Sequence, residues 1–117
     1  MRSTAHAILN NNTIPNGPIL EVGCGDCKFL SELSEKYSLA TKIGVDINTE
    51  ALEHGKSILN MQGTPVQGDF HHLPFMESSL ALVIGLDAFD QTKANLKIAL
   101  SESFRTLVKE GLLLIRV

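Results

Sequence analysis

The run Glu21-Val22-Gly23-Cys24-Gly25-Asp26-Cys27 gathers two glycines, two acids and two thiols at the end of an apolar stretch. Gly23 and Gly25 have no Cβ, so the backbone there can take positive φ and let a ligand approach the start of the helix that follows. A loop of this kind receives the polar part of a nucleotide-like cofactor. Glu21, ahead of the first glycine, would repel a bare pyrophosphate, and so favours a ligand carrying positive charge over a dinucleotide. Asp46 stands 21 positions beyond Gly25 and closes a second apolar run. A carboxylate there can accept two hydrogen bonds from a ribose diol. Helix capping or plain solvation is the competing role, and an acid closing an apolar strand weighs toward ribose. The same spacing fits a nicotinamide dinucleotide, so Asp46 alone leaves the cofactor open.

The remaining reactive residues carry less. Cys24 and Cys27 form a C-x-x-C at a helix start, a geometry that lowers a thiol pKa in redox proteins. Both lie where the loop needs small residues, and zinc would need two further ligands at suitable spacing. They are read as loop-packing residues, and no metal is expected. His71 and His72 are adjacent, so in an extended loop they point to opposite sides and cannot easily share a metal; both are expected to be exposed. His6 and His54 give no signal.

The elements that must hold these residues follow from hydrophobic period and breakers. Residues 3–9 suit a short helix, and residues 10–18, with two prolines and a glycine, a loop. A first strand from Ile19 leads into the glycine turn. A helix capped by Asp26 then carries Phe29, Leu30, Leu33 and Tyr37 on its inner face. Residues 42–47 form a short buried strand, and Asn48 or Thr49 caps a helix with the stripe Ala51, Leu52, Gly55, Ile58 and Leu59. Residues 64–67 make a third strand, where Pro65 implies an edge position. A polar turn spans residues 68–79. Leu80-Ala81-Leu82-Val83-Ile84-Gly85 is continuously apolar, as in a central strand covered on both faces. Residues 92–109 place Leu96, Leu100, Phe104, Leu107 and Val108 on one helical face, with Gly111 as the cap, and residues 112–117 are a fifth strand. Alternating strands and helices predict an α/β, doubly wound, mostly parallel sheet joined by right-handed crossovers. Its ligand site lies at the carboxyl ends of strands one and four.

A chain of 117 residues is expected to be one domain, residues 1–117. Its net charge of −3 offers no basic field to a phosphate backbone, which disfavours nucleic acid as a partner and leaves a small molecule or a protein. No apolar run approaches the roughly 20 residues of a membrane span, and residues 1–12 lack the apolar core of a signal peptide. The expected location is cytoplasmic.

Five segments in order, ILEVGCGDCKFL, IGVDIN, GDFHHLPF, SSLALVIGLD and FRTLVKEGLLLI, cover nearly the whole chain. Together they resemble the class I S-adenosylmethionine-dependent methyltransferases, in particular the type 11 small-molecule branch. The resemblance implies a Rossmann-like core with strand order 3-2-1-4-5, S-adenosylmethionine as cofactor, and methyl transfer to a small-molecule or protein acceptor. It implies cofactor contacts from Glu21, Gly23, Gly25, Asp46, Ile47, Asp69 and Phe70. Asp46 would hold the adenosine ribose, Asp69 the adenine amino group, and the Phe70 amide the ring, with Leu73-Pro74-Phe75 closing over the base. A turn-forming role competes for Asp69 and a plain core role for Phe75. Asp87 and Asp90 fall near the acceptor, where a carboxylate could take a proton from the nucleophile, and helix capping competes for Asp90.

No catalytic residue is named, because transfer from a sulfonium to a nucleophile depends mainly on alignment and exclusion of water. Cys27 replaces a third glycine of the family's loop, and Ala81 stands where an acid often opens the fourth strand. The family also continues past the fifth strand with a helix and an antiparallel pair, the last two strands of its sheet. An open fifth-strand edge, with the adjoining helix, is therefore expected to pair two copies as a homodimer. A non-catalytic cofactor-binding or interaction module is the first rival reading. A nicotinamide-dependent oxidoreductase is the second, and Lys28, where a dinucleotide loop has its third glycine, argues against it.

Overall fold

The computed structural model, which describes residues 2–89 and 94–116, alternates strand and helix along the chain. The elements are α1 (Arg2–Asn10), β1 (Ile19–Val22), α2 (Lys28–Glu32), β2 (Lys42–Asp46), α3 (Thr49–Leu59), β3 (Gly63–Gln67), β4 (Leu80–Gly85), α4 (Leu96–Thr106) and β5 (Leu107–Ile115). They build a five-stranded sheet in the order β3-β2-β1-β4-β5. Every pairing is parallel. Pro65 sits in β3, an edge strand, where its missing donor costs least.

The side chains of β1 and β4 alternate between two apolar layers, as the period of two in a strand requires. Ile19, Leu82 and Ile84 join Leu9 of α1, Phe29 and Leu30 of α2 and Leu52 and Leu59 of α3 on one face. Leu20, Val22 and Val83 join Val45, Leu73, Phe89 and Ala99 of α4 on the other. Each such leucine, isoleucine or phenylalanine, when fully buried, contributes roughly 1.5–3 kcal/mol. Among the described residues no helix is long and apolar enough to cross a membrane.

Two elements depart from the sequence expectation. The helix after the glycine loop is only five residues long, and its N-cap is Cys27 in a left-handed conformation (φ 66°) rather than Asp26. The Asp26 carboxylate still accepts the Lys28 N–H at 3.2 Å. Beyond Glu32 the chain proceeds in turns, yet Leu33 is buried and Tyr37 packs on the core. Two lysines bond backbone carbonyls around this segment. Lys42 Nζ donates to the Tyr37 and Ala40 carbonyls at 2.7 and 3.1 Å. Lys36 Nζ donates to the Leu9 carbonyl and Asn10 Oδ1. Lys42 is 2% exposed, and burial lowers its pKa.

The second departure is α4, which ends at Thr106 with Leu107 already extended. Its inner face is Ala99, Ser103 and Thr106, while Leu96, Ile98 and Phe104 are exposed. The Ser103 hydroxyl donates back to the Ala99 carbonyl, and the Thr106 hydroxyl shares the Glu102 and Ser103 carbonyls. These bonds satisfy the polar atoms, and the small side chains let the helix lie close to the sheet. Leu107 pairs with Leu80, and the next register is Leu112 with Leu82, so residues 108–111 form a bulge. Glu110 takes φ 68° within it. Gly111 belongs to this bulge and caps no helix; a Cβ there would lie 3.0 Å from the Val108 carbonyl oxygen. The expected helix start at Thr92, the Asp90 site and Val117 lie outside the described residues.

Candidate functional site

The loop leaving β1 is shaped by its glycines. Gly23 has φ 63°, and a Cβ on it would come 2.8 Å from the Ala88 Cβ. Gly25 has φ 55°, and a Cβ there would meet nothing within 4 Å, so the space beside it is open. The Cys24 N–H donates to the Val45 carbonyl at 3.1 Å, joining the loop to the end of β2. Asp46 completes the join: its Oδ2 accepts the Gly25 N–H at 2.8 Å and its Oδ1 the Asn48 N–H at 2.9 Å. Each oxygen keeps a further acceptor position, so the carboxylate can brace the loop and still receive a ligand. Asn48 caps α3 by accepting the Ala51 N–H.

Beneath the loop the two thiols are free and buried, with their sulfurs 3.4 Å apart. Their shared hydrogen bond, with burial next, raises the Cys24 pKa, and the same bond lowers that of Cys27. They fill a notch that Gly44 leaves: a Cβ at Gly44 would lie 2.7 Å from Cys24 Sγ and 2.8 Å from Cys27 Sγ. Among the described residues no group of three His, Cys, Asp or Glu side chains is placed to hold a metal ion.

The third wall comes from the turn after β3. Asp69 Oδ1 accepts the His71 N–H at 2.9 Å and meets His71 Nδ1 at 2.7 Å. The backbone bond from His71, followed by the imidazole, holds the Asp69 carboxyl below the usual carboxylate range. The Phe70 ring packs against Phe89, with centroids 5.2 Å apart, and edge-on to His71 at 4.6 Å. The following residues are clamped by α4. Glu102 Oε1 accepts the Leu73 N–H at 2.7 Å, while Arg105 donates to the Leu73 and Phe75 carbonyls and bonds Glu102 at 2.6 Å. The Arg105 bond, ahead of the others, lowers the Glu102 pKa.

These pieces enclose a cavity of about 310 Å³ at the carboxyl ends of β1, β2 and β3. Of the residues expected from the sequence, Gly23, Asp46, Ile47, Asp69 and Phe70 line it, together with Val45, Ala88 and His71. Ile47 is otherwise largely open, at 71% exposure. Glu21 and Gly25 are not among its lining residues. Glu21 is buried in β1 opposite Gly44 and Ile84, and Gly25 reaches the site through its bond to Asp46. Phe75 is half-buried against the core. Asp87 lies 3.5 Å from Arg116, outside the lining.

His71 is the residue that the sequence reading missed. It was expected to be exposed, whereas its side chain is only 20% exposed and bonded on both nitrogens; His72 is exposed as expected. The available signal was Asp69 two positions ahead, where an aspartate side chain commonly takes a backbone N–H.

A model of the methyltransferase domain family, type 11, matches residues 20–115. A fatty-acid O-methyltransferase of Mycolicibacterium smegmatis is 32% identical over 71 residues, which is 60% of this chain and 26% of that protein. The YcgJ protein of Bacillus subtilis superposes with a TM-score of 0.82 at 22% identity, over 97% of this chain and 49% of its own. A candidate S-adenosyl-L-methionine-dependent methyltransferase of Methanococcus maripaludis gives 0.81 at 24% identity, over 97% and 53%. These two structural likenesses show the fold. The chain spans about a quarter of the first relative's length and about half of each structural neighbour's.

Proposed function

The chain belongs to this methyltransferase domain family, and on that premise we propose that its cavity binds S-adenosylmethionine for methyl transfer to a small-molecule or protein acceptor. The observation that carries this reading is that two acids, Asp46 and Asp69, line one cavity together with Phe70. Two acceptors beside an aromatic wall suit an adenosine, whose ribose diol and base amino group are donors. The open space at Gly25 gives the rest of the molecule room to pass the loop. When bound, the cofactor supplies an activated methyl group on a sulfonium centre.

In this reading Asp46 holds the ribose, and Asp69 with the Phe70 amide holds the base. Gly23 and Gly25 let the backbone approach, Ile47 covers the open side, and Glu21 in β1 favours the cationic end. Alignment and exclusion of water then account for the rate, and no acid or base is assigned. One relative is named for O-methylation of a fatty acid, which makes an oxygen of a small apolar molecule the first acceptor class to assay. A cytoplasmic location, with residues 1–117 as one domain, goes with this reading. So does a homodimer covering β5 and the exposed Leu96, Ile98 and Phe104 of α4.

S-adenosylhomocysteine at a hundredfold excess over its dissociation constant is expected to raise the melting temperature by about 10 °C. Asp46→Ala should remove the shift. A shift with NADH and none with the adenosyl ligand would replace this reading with the oxidoreductase one. Binding without turnover on any acceptor would leave the non-catalytic module.

A further inference from the structure

His71 joins two parts of the molecule that are remote in sequence. Its Nε2 lies 2.9 Å from the backbone nitrogen of Asn95, the residue that caps α4. A backbone N–H can only donate, so Nε2 is the acceptor and carries no proton. The proton of the neutral imidazole is therefore on Nδ1, and it points at Asp69 Oδ1, 2.7 Å away. The His71 N–H takes the same oxygen at 2.9 Å. Oδ1 of Asp69 is thus occupied by two donors from one residue, and the carboxylate is held in one orientation. Among the described residues, no further donor is bonded to Oδ2.

We propose that His71 is a specificity-determining positioning residue: by engaging Oδ1 it presents Asp69 Oδ2 to the cavity as an oriented acceptor that selects an amino-bearing purine over an oxo-purine. This rests on the adenosyl-binding reading above and adds to it the residue that enforces base choice. An exocyclic amino group offers the donor Oδ2 requires. An oxo group in its place sets two acceptors against each other, and also protonates the adjacent ring nitrogen, which then opposes the Phe70 N–H. A carboxylate free to rotate could relieve the first conflict, and the bonds from His71 hold it still. Phe70, packed between His71 and Phe89, limits the tilt of the base. Because Asn95 holds Nε2, the position of the Asp69 carboxylate is also tied to the start of α4.

The test is calorimetric titration of the full chain with S-adenosylhomocysteine and with its deaminated analogue, S-inosylhomocysteine. The unsubstituted protein is expected to prefer the adenosyl ligand by about 100-fold, the order seen when a polar site loses its partner. His71→Ala should weaken adenosyl binding while compressing the preference to below about tenfold. His71→Asn, which keeps a donor near the Nδ1 position and loses the Asn95 contact, should recover most of the preference. Circular dichroism on each variant confirms folding. If His71→Ala weakens both ligands equally, His71 is only a strut and the proposal fails. An unsubstituted protein that binds both ligands equally also overturns it, while a folded one that binds neither overturns the parent reading itself.

Discussion

The two faces of the sheet are covered on different terms. Over β2 and β3, α3 presents Leu52, Gly55 and Leu59 inward, and the thiols of the glycine loop fill the space left by Gly44 and Gly55. On the opposite face α4 turns Ala99, Ser103 and Thr106 inward and leaves Leu96, Ile98 and Phe104 in solvent. The first face is organised by close steric fit, because the loop that shapes the candidate site rests directly on it. The second is organised by hydrogen bonds: Glu102 and Arg105 clamp residues 73–75, and Asn95 anchors His71. Side-chain volume should therefore be the sensitive variable on the first face, and polar substitution on the second.

The largest effect is expected from Gly44→Val. Even a single Cβ would intrude on both sulfurs, and a branched side chain would force the glycine loop off β2. A loss of more than about 3 kcal/mol is expected in urea denaturation, with adenosyl binding lost as well. Full retention of stability would show that the first face is as accommodating as the second.

A smaller effect, of a different kind, is expected from Glu102→Gln. The Glu102 pKa is lowered in the folded state, so its contribution to stability is complete above the unfolded value of about 4.3 and disappears as pH falls through the folded value. At pH 7 the variant should melt about 4 °C lower, from the loss of one charge-assisted clamp. Below the folded pKa the two melting curves should converge. A difference that stays constant with pH would place the clamp's value in shape rather than charge.

The same contrast explains what could be read from the sequence. Glycine spacing marked the loop, and α3 and β4 were legible because their apolar residues are the inward ones and their breakers fall at their ends; β2 was legible as an apolar run although it also buries Lys42. The Asp46 position followed from its place at the close of an apolar run, 21 residues beyond Gly25. On the α4 side the pattern misled: Leu96 and Phe104 recur at helical spacing but face outward, while a serine and a threonine face inward with their hydroxyls bonded to the helix's own carbonyls. The α4 boundary was lost for a related reason. Leu107 and Val108 continue the helical period, but they begin a bulged strand whose turn depends on positive φ at Glu110, which no glycine announces. Lys42 and His71 act through carbonyl and carboxylate partners that only the folded chain brings near, and periodicity carries no trace of such bonds.

The smallest effect on folding, and the most direct test of the second face, is Phe104→Ser. Phe104 is 64% exposed, so its removal should change the stability of an isolated chain by less than about 0.5 kcal/mol. Leu96 and Ile98 are exposed on the same helix, and the outer edge of β5 has no strand partner among the described residues. Exposed apolar side chains and open strand edges favour association. If a second copy covers this side, light scattering should show a dimer for the unsubstituted protein and a shift toward monomer for Phe104→Ser, at unchanged melting temperature when dilute. Leu114, which packs partly against the core, would confound folding with association, and Phe104 avoids that. A monomer indifferent to the substitution at high concentration would remove the dimer proposal.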